Sequence, residues 1–202
     1  MFPPLTDVVK SLIIINVMMF IGTHVAGNEI KYMLAVFYPT SGYFQPFQLV
    51  THMFMHGTVI HIFFNMYMLF MFGVPLERQF GPKRFLLYYL LCGFGALLLY
   101  MFTLYIQLNY LDIPIDINVP MLGASGAVFG LLAGFGFLYA NHTIQLIIPP
   151  IPMKAKYFVL ILGAIELYLG FSGKNTGIAH FAHIGGAVTG FLIMAQWGLL
   201  RR

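Results

Sequence analysis

Charge is what this chain has least of. Only 8% of its 202 residues are Asp, Glu, Lys or Arg, where a water-soluble domain carries about a quarter. So few ionic groups cannot cover a water-facing surface, and an ordinary soluble domain is excluded. Cysteine is nearly missing as well. Cys92 stands alone, which rules out an intramolecular disulfide and any Cys-based zinc or iron–sulfur centre. It lies in the apolar run 86–99 and reads as a small core or lipid-facing side chain. No His-Glu-x-x-His pattern accompanies the seven histidines, so neither a metal nor a cofactor is expected. Repeats, low-complexity tracts and a second domain are also missing, and residues 1–202 read as a single domain.

What remains is apolar: 60% hydrophobic and 17% aromatic residues, with a mean hydropathy of +0.86. The chain reads as an integral, multi-pass membrane protein with the lipid bilayer as its solvent. A helix needs about 20 apolar residues to cross the hydrocarbon core. Six segments qualify as spans: 7–26, 57–76, 84–106, 123–140, 156–171 and 179–199. The fourth and fifth are short and glycine-rich. The expected class is all-α, a bundle of six transmembrane helices. No convincing cleavage site follows the first apolar stretch, so that span reads as a retained signal anchor.

The basic residues between the spans set the orientation. With the N-terminus inside, Lys10, Arg78, Lys83, Arg84, Lys154, Lys156, Arg201 and Arg202 are cytoplasmic. Only Lys31 and Lys174 of the ten lie outside. Both termini are then cytoplasmic, as in a protein of the cell (inner) membrane. The net charge of +4 is therefore a topology signal rather than a phosphate-binding patch, and no nucleic-acid partner is expected. The first outer loop, 27–56, holds Tyr38, Tyr43, Phe44 and Phe47 among prolines, a composition suited to the membrane interface.

Three polar groups break the apolar spans. Ser125 sits in Gly123-Ala124-Ser125-Gly126 at the outer end of the fourth span. His183 lies at matching depth in the sixth. Two residues at one depth on different helices can touch, and a Ser–His contact activates a nucleophile for attack on a carbonyl. No acid neighbours His183 in sequence, so a dyad is expected rather than a triad. His180, three residues earlier, is the competing base. His61 and Asn65, four apart on the second span, share a helix face and could hold an oxyanion together with the Ser125 amide. The other reading of that pair is two interhelical hydrogen bonds. Gly123 and Gly126 leave the backbone around Ser125 uncrowded, so a substrate carbonyl can approach its amide. Gly126, Gly130 and Gly134, and on the sixth span Gly186 and Gly190, also repeat at the spacing that lets membrane helices approach closely. Glu166, within the fifth span, is costly there unless protonated or paired. His24, His52 and His142 lie at span ends or in loops and read as structural.

In Gly123-Ala124-Ser125-Gly126, in His61-x-x-x-Asn65 and in Ala182-His183-Ile184-Gly185-Gly186, the chain resembles the rhomboid family of intramembrane serine proteases. The order of these motifs and the six-span plan extend the resemblance over nearly the whole length. It implies Ser125 as nucleophile and His183 as general base, with His61, Asn65 and the Ser125 amide as oxyanion hole. His56 matches a histidine that helps fix the first outer loop, and Glu77 a glutamate of structural role. Gly123, Gly126 and Gly186 shape the surroundings of the site. Many members carry Trp-Arg in the first loop where this chain has Phe47-Gln48. The implied substrates are single-span membrane proteins, cut near the outer face of the bilayer. The alternative is a catalytically silent rhomboid-like protein that binds transmembrane helices. Substrate entry is expected between the second and fifth spans, with Leu167, Tyr168 and Phe171 plugging the seam and the loop 171–178 acting as a lid.

Overall fold

The computed structural model describes residues 4–111, 114–145, 150–172 and 179–199, the Asn28 side chain excepted. The fold is mostly helical. The first helix, α1 (Asp7–Ala26), is capped from a distance. The Glu77 carboxylate accepts from Thr6 Oγ1 at 2.5 Å and from the Val8 and Val9 amides at 3.0 and 2.9 Å. An acceptor carrying negative charge is what the exposed amides of a helix N-terminus favour. A short α2 (Asn28–Leu34) and α3 (Gln48–Thr51) follow, with a 3-10 turn at His52–Phe54.

The next long helix changes pitch partway. It runs as α4 (Val59–Met68), a π turn (Leu69–Gly73) and α5 (Val74–Phe80). Pro75 has no amide hydrogen and its ring would crowd a carbonyl one turn earlier; the wider π turn just before it accommodates both problems. Gly81, at φ +76°, then breaks the chain into α6 (Pro82–Tyr110). After α7 (Ser125–Leu138) comes an antiparallel pair of three-residue strands. These are β1 (Thr143–Gln145) and β2 (Pro152–Lys154), with Ile144 opposite Met153. This pair departs from the all-α expectation. The fold closes with α8 (Ala155–Phe171) and α9 (His180–Gln196).

Among the described residues, three helices are long and apolar enough to cross a membrane: Asp7–Ala26, Val59–Phe80 and Pro82–Tyr110. The segments expected as spans four to six contain helices of 14, 17 and 17 residues. For α7 the reason is its place. Gly126, Val128, Leu131, Leu132 and Phe135 are all buried, so it is enclosed by other helices and meets little lipid. At 1.5 Å per residue it extends about 21 Å, short of the hydrocarbon thickness.

Small residues bring α6, α7 and α9 together. A Cβ on Gly186 would overlap the Gly126 carbonyl oxygen, and one on Gly126 would overlap the Ala96 Cβ. A Cβ on Gly130 would overlap the Cys92 sulfur, so Cys92 is a core side chain of the α6–α7 contact. Tyr88 of α6 donates to the Gly130 carbonyl at 2.8 Å.

Arg78 and Arg84 lie beside a ring cluster where α5 meets α6. Arg78 donates to the Pro4 carbonyl at 3.0 Å, and Trp197 meets Phe80 at 5.3 Å and the Arg84 guanidinium at 5.9 Å. Leu167, Tyr168 and Phe171 do not plug a seam against the second long helix. They are 46, 67 and 77% exposed, and the Phe171 ring meets Phe181 of α9 edge-on. In an apolar bundle such side chains face lipid. Of the expected lid, residues 173–178 lie outside the described residues.

Candidate active site

The loop 27–56 is fastened to the segment that leads into α7. Val36 and Met121 exchange backbone hydrogen bonds at 2.9 and 2.8 Å, and the Gly123 amide donates to the His52 carbonyl at 2.9 Å. Gln48, at the position where the family pattern has arginine, organises the loop from within. It accepts from the Phe37 and Gln45 amides at 3.5 and 3.0 Å, and it donates to the Met33 and Tyr43 carbonyls at 3.0 and 3.1 Å. His52 donates from Nδ1 to the Gln48 carbonyl at 2.8 Å. Burial holds the His52 pKa down to about 4. Burial, with His61 beside it, holds that of His56 down to about 3. The His56 ring packs edge-on against His61, with centroids 5.0 Å apart, so it props the residue behind the site.

Gly123 is at φ +127°, a backbone conformation L side chains rarely adopt. A Cβ there would also stand 2.9 Å from His61 Nε2, so glycine is what lets the His61 ring lie over this turn. The next turn begins α7 at Ser125. First-turn amides of a helix have no intrahelical acceptor and point outward with the positive end of the dipole.

Ser125 and His183 meet. His183 Nε2 lies 2.8 Å from Ser125 Oγ, which joins the first turn of α7 to the first turn of α9. His183 is held flat by Phe129, one helical turn after Ser125, at a centroid distance of 4.2 Å and 5° between planes. His180, the competing base, points elsewhere: its Nδ1 donates to Glu166 Oε2 at 2.6 Å. That same oxygen stands 3.0 Å from His183 Nδ1. The approach is off the ring N–H direction, and His183 Nδ1 has no aligned hydrogen-bond partner among the described residues.

Across a cavity of about 550 Å³ from this pair lie His61 and Asn65. Asn65 Nδ2 donates one hydrogen to the His61 carbonyl at 3.0 Å, which leaves its second for a ligand. Gly126 lines this cavity beside Ser125, and a Cβ there would overlap Ala96 of α6, so the same glycine also lets α6 and α7 approach. Gly186 likewise serves the α7–α9 approach.

Glu166, His180 and His183 are the group among the described residues that could offer three ligand atoms to a metal. Two separations in this group, 2.6 and 3.0 Å, are shorter than the roughly 3.3 Å between neighbouring nitrogen or oxygen ligands of tetrahedral zinc. The cluster is spaced for shared protons. Phe129 and the Glu166 contact are the two features that the motifs do not contain. The signal for Phe129 is its four-residue offset from Ser125; for Glu166 it is a carboxylate inside an apolar helix, which requires a partner.

Residues 43–200 match the Rhomboid domain family. The chain is 37% identical over 140 residues to RHOMBOID-like protein 4 of Arabidopsis thaliana, covering 69% of this chain and 31% of that protein. It is 32% identical over 157 residues to the Rhomboid protease AarA of Providencia stuartii, covering 73% and 54%. With the Rhomboid protease GluP of Bacillus subtilis (strain 168) it shares 30% over 158 residues, covering 75% and 26%. The chain thus spans between about a quarter and about half the length of these relatives.

Proposed function

This chain belongs to the rhomboid family, and on that premise we propose that it is an intramembrane serine endopeptidase. It works through a Ser125–His183 dyad on the transmembrane segments of single-span membrane proteins. The observation that carries this reading is the 2.8 Å contact between His183 Nε2 and Ser125 Oγ on the wall of the cavity. As Ser125 Oγ attacks a scissile carbonyl carbon, its proton passes to His183 Nε2 and the carbonyl π pair moves onto oxygen. The Ser125 amide, His61 and the second Asn65 hydrogen receive that oxyanion. Collapse returns the proton to the leaving amine, and water then cleaves the acyl-enzyme by the same route. A substrate helix must unwind locally to present its carbonyl, because a helical backbone already uses it.

The rest of the reading follows from the bundle. Residues 1–202 form one domain of six spans, the fourth shortened where neighbouring helices replace lipid around it. Arg78, Lys83 and Arg84 lie where α5 meets α6, at the far end of the second long helix from His61, which supports cytoplasmic termini and cleavage near the outer face of a cell (inner) membrane. The test is a fluorophosphonate probe on the purified chain in liposomes. Wild type is labelled and cuts an embedded single-span substrate; Ser125→Ala does neither while keeping its thermal stability. Wild-type protein that binds the substrate but is neither labelled nor active would instead be the catalytically silent relative.

A further inference from the structure

The carboxylate of Glu166 is the group that the dyad chemistry leaves unused. For Nε2 of His183 to accept the Ser125 proton, the ring's own proton must sit on Nδ1. That nitrogen is buried, and the atom facing it is Glu166 Oε2 at 3.0 Å. The three side chains are 12% exposed for Glu166, 6% for His180 and 10% for His183, so little solvent competes. The oxygen is itself held, because His180 Nδ1 donates to it at 2.6 Å. The histidine ring is held too, flat against Phe129. A small rotation of the carboxylate is then the movement that aligns it with Nδ1–H, as happens when a site tightens around substrate.

Resting on the protease reading above, we propose that Glu166 is a positioning residue for His183. It selects the tautomer with Nε2 free and pairs with the imidazolium formed when Ser125 attacks, so that the working unit is Ser125–His183–Glu166 with His180 as its anchor. The proton lost by Ser125 Oγ stops at His183 Nε2; Glu166 stays ionised throughout and takes none. The groups facing His183 among the described residues are few. They are Ser125 from α7, Glu166 from α8, His180 from its own helix and His61 across the cavity from α4. From α6, Ala96 and Leu99 pack against the neighbouring Gly126 and Gly185, and neither titrates. Of these only Glu166 carries negative charge. A glutamine in its place could still accept from His180 but could not pair with a cation on His183.

The experiment compares wild type, Glu166→Gln and Glu166→Asp in liposomes, measuring cleavage of an embedded substrate and fluorophosphonate labelling from pH 5 to 9. Glu166→Gln is expected to lose at least tenfold in kcat with KM within twofold. The acid limb of its kcat/KM profile should move to lower pH by half a unit or more, because the protonated base has lost its partner. Glu166→Asp keeps the charge and should restore the wild-type limb with part of the rate. Wild-type kcat and limb in Glu166→Gln would overturn the positioning role and leave the protease reading standing. A lost rate with an unmoved limb and no rescue by aspartate, or loss of fold in both variants, would make Glu166 a structural tie and overturn it equally. Wild-type protein that neither labels nor cleaves would end the protease reading itself, and this inference with it.

Discussion

Asn65 divides its two amide hydrogens between the fold and the cavity. One holds the His61 carbonyl of its own helix, and the other is left for a ligand, the oxyanion in the proposed mechanism. His61 is propped by His56 and passes over a glycine that cannot be replaced without touching its ring. The loss on removing each should therefore be graded. Asn65→Ala is expected to slow cleavage by about a hundredfold or less, since the Ser125 amide and His61 remain, and His61→Ala by more. Single-turnover rates on one substrate measure both, and wild-type rates in both variants would reduce the pair to helix packing. Other buried polar side chains at this scale fasten elements together. Gln48 is legible in the sequence only as a departure from the family's Trp-Arg pattern. Its four hydrogen bonds reach across the first loop to residues whose proximity the order of residues does not reveal. Glu77 reads as structural from the family resemblance, and its partners are at the start of α1, some 70 residues earlier.

Among the elements, α7 and α9 depend on each other through glycines. The four-residue spacing of Gly126, Gly130 and Gly134 marks a close-packing face, but which helix each glycine meets depends on how three helices share one core. A Cβ at Gly186 would strike the Gly126 backbone, which no side-chain rotation relieves, whereas one at Gly163 of α8 meets nothing within 4 Å. Gly186→Ala should therefore destabilise by about 1–3 kcal/mol, lower the melting temperature and cut labelling of Ser125 at least tenfold, because parting α7 from α9 lengthens the Ser125–His183 contact. Gly163→Ala should be neutral or stabilising by up to about 1 kcal/mol, as alanine is the better helix former. Thermal melts of both variants in one detergent distinguish these outcomes. The shortness of α7 belongs to this scale too: an apolar run reads as a span, yet a helix enclosed by others need not reach across the bilayer.

For the whole molecule, the docking of the first loop on the site carries a pH dependence. His52 and His56 are neutral in the fold, with pKa values held to about 4 and about 3, while the unfolded chain has them near 6.5. Between those values the unfolded chain binds protons that the folded chain does not, so stability rises with pH across that window and is fully present above about 6.5. At pH 5 the loss is on the order of 2 kcal/mol for each histidine. The melting temperature should fall as pH drops from 7 to 5. His52→Asn, which keeps a donor for the Gln48 carbonyl but does not titrate, should flatten that slope. An unchanged slope in this variant would mean that protonation elsewhere drives the acid sensitivity.

Composition alone determined the medium this protein lives in, because an 8% charged chain has no means of covering itself in water. The same arithmetic of spacing set Ser125, His61 with Asn65, and His183 on separate apolar segments, since chemistry at membrane depth needs polar groups that lipid would otherwise exclude. The motifs point to His183 as the base by resemblance, and tertiary structure supplies the physical reason that it, and not His180, meets the serine. Three residues separate His180 from His183, nearly one helical turn, and only the placement of α8 beside α9 turns the first toward a carboxylate and leaves the second to face Ser125. It also decided that the acid missing from the neighbourhood of His183 in sequence is present in space, 17 positions away on another helix. Contacts of that kind depend on the rotation of one helix about its axis relative to the next, which side-chain packing sets.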